Sequence, residues 1–129
     1  MPSFREIIRS VAFEKDLKKL LKRFQSLEKD LETFEKVQLV LFHKRGLDNG
    51  GITRIDGLEQ GMIPIFKAKK FACRSLKGKG VQSGIRVIYA YCKELDRIQH
   101  IEIYDTREQE IEIKIRLQDA AYFQISTDF

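Results

Sequence analysis

Lys67 and Lys69 lie two residues apart in a segment, Met62 to Cys73, whose apolar and aromatic residues read as a β-strand. Alternate strand residues share a face, so Ile63, Ile65, Lys67, Lys69 and Phe71 are expected on one side, with Phe66, Ala68, Lys70 and Ala72 on the other. Two ammonium groups at that spacing can grip one phosphodiester or, where partly desolvated, lower each other's pKa. The plainer alternative is a solvated basic face. Arg86 bears on the choice, because it interrupts the apolar run Ile85 to Ala90, where a guanidinium is costly unless aimed at an anion or a carboxylate. Arg107 follows the last clear strand, at a sheet end where binding groups often sit, although pairing with Glu108 or Glu110 would account for it equally well. Tyr104 reads as a strand tyrosine whose hydroxyl reaches solvent.

The charge distribution points the same way. The chain of 129 residues has a formal net charge of +5, from 24 Lys+Arg against 19 Asp+Glu. Residues 1–60 hold 12 basic and 10 acidic side chains, residues 61–95 hold 8 and 1, and residues 96–129 hold 4 and 8. Between Gln60 and Lys93 there is no carboxylate, while Lys67, Lys69, Lys70, Arg74, Lys77, Lys79, Arg86 and Lys93 accumulate. One-sided charge repels itself in a compact state, so an anionic partner is the simplest reason for it.

Other chemistries find less support. His43 and His100 have no matched carboxylate or cysteine partners in the sequence; His43 is expected to complement a helix dipole and His100 to pack within a strand. Cys73 and Cys92 show no metal-ligand or disulfide spacing, so neither a metal nor another cofactor is expected. Gly78-Lys79-Gly80 lacks the spacing and the following Ser/Thr of a P-loop and reads as a hairpin turn. No stretch approaches the roughly 18 apolar residues of a membrane span. Glu6 and Arg9 sit where a signal peptide would be apolar, so a cytoplasmic protein with no membrane partner is expected.

The positioning elements follow from periodicity. Phe13, Leu17, Leu20, Leu21 and Phe24 form one face of an amphipathic helix, and Leu27, Leu31, Phe34 and Leu41 form a second, with Ser26 as its N-cap and an end near His43 and Lys44. The short connection predicts an antiparallel helical hairpin over 13–44, after a brief leading strand suggested by the apolar run Ile7, Ile8 and Val11. Residues 45–61 contain five glycines and read as loop. Met62 to Cys73, Gly84 to Cys92 and Arg97 to Tyr104 read as strands of an antiparallel meander. For residues 108–121 the alternation of Ile111, Ile113, Ile115 and Leu117 fits a strand, whereas Thr106 with Gln109 resembles a capping box; a short helix is preferred. The expectation is a single α+β domain over 1–129. An N-terminal antiparallel helical hairpin packs on a small twisted antiparallel sheet of three to four strands, followed by a short C-terminal element.

With the parts in this order, FEKDLKKLLKRF, IFKAKKFACRSLKGKGVQSGIRVIYAY and IQHIEIYDTRE together resemble the RelE/ParE-like toxins of bacterial toxin-antitoxin modules, over most of residues 7–108. The resemblance implies a metal-independent endoribonuclease that cleaves ribosome-bound mRNA, inhibits translation and is neutralised by a cognate acidic antitoxin. It implies catalytic roles for Lys67, Lys69, Arg86 and Arg107, to which Lys70, Arg74, Lys77 and Lys79 would add RNA contacts. Cleavage by 2′-OH attack needs cations around a pentacovalent phosphorane, a base, for which Lys67 or Lys69 is the candidate, and an acid for the leaving oxygen. Here the chain departs from the family: Glu110, Ile111, Glu112 and Ile113 stand where the ribonucleases place a tyrosine or histidine, and Tyr122 is the nearest later aromatic hydroxyl. The alternative is a non-catalytic member that inhibits DNA gyrase or only binds antitoxin or nucleic acid.

Overall fold

The computed structural model describes residues 2–55 and 63–108. Strand β1 (Glu6–Arg9) ends at Ser10, whose extended backbone (φ −69°, ψ 161°) starts helix α1 (Val11–Leu21). The Ser10 hydroxyl accepts from the Phe13 amide at 3.0 Å and donates to the Ile101 carbonyl at 3.0 Å, so the cap also ties the helix to the sheet. Phe13, Leu17 and Leu20, spaced for one helical face, are buried against the sheet, and each such side chain contributes about 2 kcal/mol.

A second, long helix covers 27–45 in three pieces: Leu27–Thr33, a π-helical turn Phe34–Gln38 and Leu39–Arg45. It buries Leu27, Leu31, Phe34 and Leu39 and stops at Gly46, whose left-handed conformation (φ 66°) lets the Leu47 amide turn back to the Leu41 carbonyl at 2.8 Å. Ser26 makes no capping bond. Its hydroxyl instead donates to Asp30 at 2.6 Å and accepts from the Ser75 amide at 2.9 Å.

The remaining strands are β2 (Ile52–Arg54), β3 (Ile65–Ala68), β4 (Ile85–Cys92) and β5 (Arg97–Asp105). They form with β1 a five-stranded mixed sheet in the order β1-β5-β4-β3-β2; β1 is parallel to β5 and all other neighbours are antiparallel. This overturns the expected N-terminal helical hairpin on an antiparallel sheet of three to four strands. The chain opens with an edge strand that pairs far along the sequence, α1 packs chiefly on β5 rather than on the long helix, and the glycine-rich segment contributes the opposite edge, β2. The expected C-terminal element over 108–121 lies, beyond Glu108, outside the described residues.

The helices cover one face of the sheet, where Phe66, Ala68, Val87, Tyr89, Ile98 and Ile103 join their apolar side chains in the main core. On the opposite face Ile65, Ile88, Ala90, Ile101 and Tyr104 form a smaller cluster. A β-bulge interrupts the β4–β5 ladder. Ile88 pairs with Glu102 but Tyr89 with His100, which leaves Ile101 as the extra residue.

Candidate nucleic-acid interface

Strand β3 carries Lys67 in register with Ile88 of β4 and Thr53 of β2. Lys67 therefore shares the face of Ile65 and Ile88, opposite the helices, and is half-buried there. Arg86, also half-buried, is opposite Tyr104 on that same face, diagonally across from Lys67. The β3–β4 register thus brings Lys67 and Arg86 to the same face from two adjacent strands.

Lys69 behaves differently. The strand stops at Ala68, the Lys69 amide bonds the Gly51 carbonyl at 2.6 Å, and Phe71 crosses to the helix side, packing on Phe34 with ring centroids 5.2 Å apart. The expected face of five alternating residues from Ile63 to Phe71 is broken by this crossing. Lys69 is exposed at the end of the sheet, and its carbonyl accepts from Arg86 Nη1 at 2.7 Å, so Arg86 is steadied by the backbone beside it.

The segment joining β3 to β4 leaves from that same end. It is pinned at its base and open at its tip. Asp30 Oδ2 accepts from the Arg74 amide at 3.1 Å, and Ser83 Oγ donates to the Phe71 carbonyl at 2.5 Å and accepts from the Ile85 amide at 3.1 Å. Beyond these anchors Lys77 and Lys79 are exposed, as is Arg74, whose Nε is 4.0 Å from Asp30. Lys70 is exposed nearer the base and bonds the Asn49 carbonyl through Nζ at 2.6 Å.

Arg107 is set apart from Lys67 and Arg86. Asp105, paired with Ile85, faces the helix side and is buried. It accepts from Arg107 Nε at 2.9 Å and Nη2 at 3.0 Å, a two-pronged grip, while Nη2 also reaches the Ser83 carbonyl at 3.3 Å. Burial pushes the Asp105 carboxyl up, but the hydrogen bonds and charge of Arg107, with Arg23 nearby, outweigh it and hold the group below its ordinary pKa. The hydrogen bond to Asp105 raises Arg107 in turn. Of the four residues singled out for catalysis, Lys67 and Arg86 share a face, Lys69 sits at its end, and Arg107 is held by a carboxylate on the other side. Asp105 escaped the sequence reading, although Asp two residues before Arg is a signal for the turn it makes, with Oδ1 accepting the Arg107 amide at 3.1 Å.

The two histidines are structural. His43 does not complement a helix dipole: it stands among Phe4, Phe42, Phe66 and Tyr91 and shares a 2.7 Å hydrogen bond with the Tyr89 hydroxyl. Burial, helped by the charge of Lys44, lowers its pKa from 6.5 to about 4. His100 is buried, stacks on Phe13 with centroids 4.9 Å apart, and meets Glu35 of the π-turn at 2.7 Å. Burial raises the Cys73 thiol, which leaves it a poor nucleophile. Among the described residues no three His, Cys, Asp or Glu side chains converge as metal ligands would, and no helix is long and apolar enough to cross a membrane.

Compared with protein-family models, curated proteins and solved structures, the chain matches none.

Proposed function

We propose that the protein is a toxin of the RelE/ParE-like kind, an endoribonuclease that acts on ribosome-bound mRNA and is restrained by an acidic antitoxin. One observation carries this reading: Lys67 and Arg86 project from adjacent strands onto one face, at the sheet end from which the carboxylate-free segment with Arg74, Lys77 and Lys79 departs. An RNA strand laid along that end would meet Arg86 and Lys67 at the scissile phosphate and the loop cations at its neighbours. In the reaction Arg86 stabilises the phosphorane charge, and Lys67 or Lys69 takes the 2′-OH proton. The residues after Glu108, including Tyr122, lie outside the described residues, so no acid is assigned.

Expression without a partner should arrest growth and produce discrete cuts in translated transcripts, and the Lys67→Ala/Arg86→Ala protein should do neither. Intact transcripts, or equal cutting by both proteins, would overturn the reading.

The grip of Asp105 on Arg107 favours a second reading, a non-catalytic member that uses the same basic end to bind nucleic acid or inhibit DNA gyrase. A supercoiling assay separates the two, because a gyrase poison yields cleaved plasmid and leaves purified RNA intact.

A further inference from the structure

Next to Asp105 lies a second cation that the strand pattern does not reveal. Arg23, just past the end of α1, reaches the same corner. Its Nη2 is 3.6 Å from Asp105, a long contact, whereas its Nη1 is 2.8 Å from Glu108. Both guanidinium groups lie over the ring of Phe24, Arg23 at 4.8 Å and Arg107 at 6.0 Å from its centroid. About half of each arginine side chain is exposed, 46% for Arg23 and 52% for Arg107, while Asp105 beneath them is at 1%.

The two carboxylates in this corner differ in kind. Asp105 is buried, bound by two prongs, and belongs to the scaffold: it fixes the plane of Arg107. Asp105 and Ser83 take Nε and Nη2 of Arg107, and Nη1 makes no hydrogen bond among the described residues. Glu108 is 54% exposed and lies on the rim; among the described residues its carboxylate forms an ion pair with Arg23, and its charge also acts on Arg107. An exposed pair of that sort contributes little, so another anion can replace it at small cost. A phosphate bridging Arg23 Nη1 and Arg107 Nη1 would instead gain two charge-assisted partners, pre-oriented on an aromatic ring.

We propose that Arg23 and Arg107, set on Phe24 by Asp105, form a phosphodiester site for the RNA backbone, and that the Glu108 carboxylate fills this site in the absence of RNA. The inference rests on the RNA-binding reading above and extends it round the sheet end: Arg86 and Lys67 hold the strand on one face, and Arg107 and Arg23 hold it on the other. Glu108 then acts as an internal competitor that lowers affinity for weakly held RNA.

The test is fluorescence anisotropy with a short labelled single-stranded RNA, across a range of salt, on the full chain. Glu108→Gln should tighten binding about threefold and Arg23→Gln should weaken it about fivefold. Arg23→Gln should also flatten the plot of log affinity against log salt by about 0.7, the value of one phosphate contact on a single strand. A fold defect would not produce that change in slope, and Glu108 is too exposed for its replacement to unfold the core. Wild-type affinity and slope in both variants would overturn the proposal. The Lys67→Ala/Arg86→Ala protein makes the failures distinguishable: if it alone binds weakly, the RNA reading stands and the Arg23–Arg107 site falls; if it too binds like wild type, the RNA reading itself is wrong.

Discussion

Acidification should loosen the protein through His43. In the folded chain His43 titrates at about 4 rather than 6.5, because burial among aromatic rings disfavours its charged form and Lys44 adds to the penalty. In the unfolded chain the imidazole takes up its proton near pH 6.5. Between those values the unfolded state binds more protons than the folded one, so stability is fully present above pH 6.5 and is lost as pH falls toward 4. The gap corresponds to a loss of about 3 kcal/mol once both forms are protonated, a large part of the stability of a domain this size. Asp96 and Asp105 have pKa values lowered from 3.8, so their contributions persist through this window and disappear only below it.

Urea unfolding from pH 7.5 to 4.5 of the wild type and of His43→Gln, which keeps a hydrogen-bonding group for Tyr89, isolates the effect. The wild type should lose about 2 kcal/mol more than the variant over this range. Parallel stability curves would refute the reasoning. The outcome also bears on the basic face, since His43 packs against Phe66, with centroids 4.8 Å apart, and Phe66 immediately precedes Lys67.

Two further outcomes can be checked with the same equipment. Ser10→Ala removes a buried hydroxyl that both caps α1 and bonds Ile101, so it should cost about 1.5 kcal/mol in urea unfolding; a change near zero would show that the cap is idle. Asp30→Ala frees the Arg74 amide and the Ser26 hydroxyl, which anchor the β3–β4 segment. Trypsin should then cut at Lys77 and Lys79 several-fold faster under native conditions, and an unchanged cutting rate would count against Asp30 as the anchor.

Some of this was readable in the sequence and some was not, for identifiable reasons. β4 and β5 announce themselves because β-branched and aromatic residues fill five of eight positions in the one and four of nine in the other, as suits strands buried on both faces. That Lys67 and Arg86 share a face depends on the β3–β4 register, which sets Lys67 opposite Ile88, two residues from Arg86. Alternation misplaces Phe71, because the strand ends at Ala68, where Lys69 bonds Gly51, and local pattern cannot register a contact made 18 residues away. β1 is legible as a strand, but its parallel pairing with β5 joins residues 91 apart, Glu6 with Arg97, and nothing local specifies it. β2 is three residues long and follows glycines, below what composition can signal. Asp105 and Arg23 look like ordinary surface charges until the fold brings the end of α1 to the end of β5.

The bulge in β5 keeps the phase of everything that follows it, because it takes the extra residue out of the alternation. His100 and Asp105 are separated by five positions, an odd number that in a regular strand would send them to opposite faces. With Ile101 bulged out, both fall on the helix side, one against Glu35 and the other beneath Arg107 and Arg23. Had Ile101 been taken into a regular ladder instead, Asp105 would turn away from its two arginines and Tyr104 would enter the main core; the bulge absorbs the extra residue and keeps Asp105 opposite Ile85.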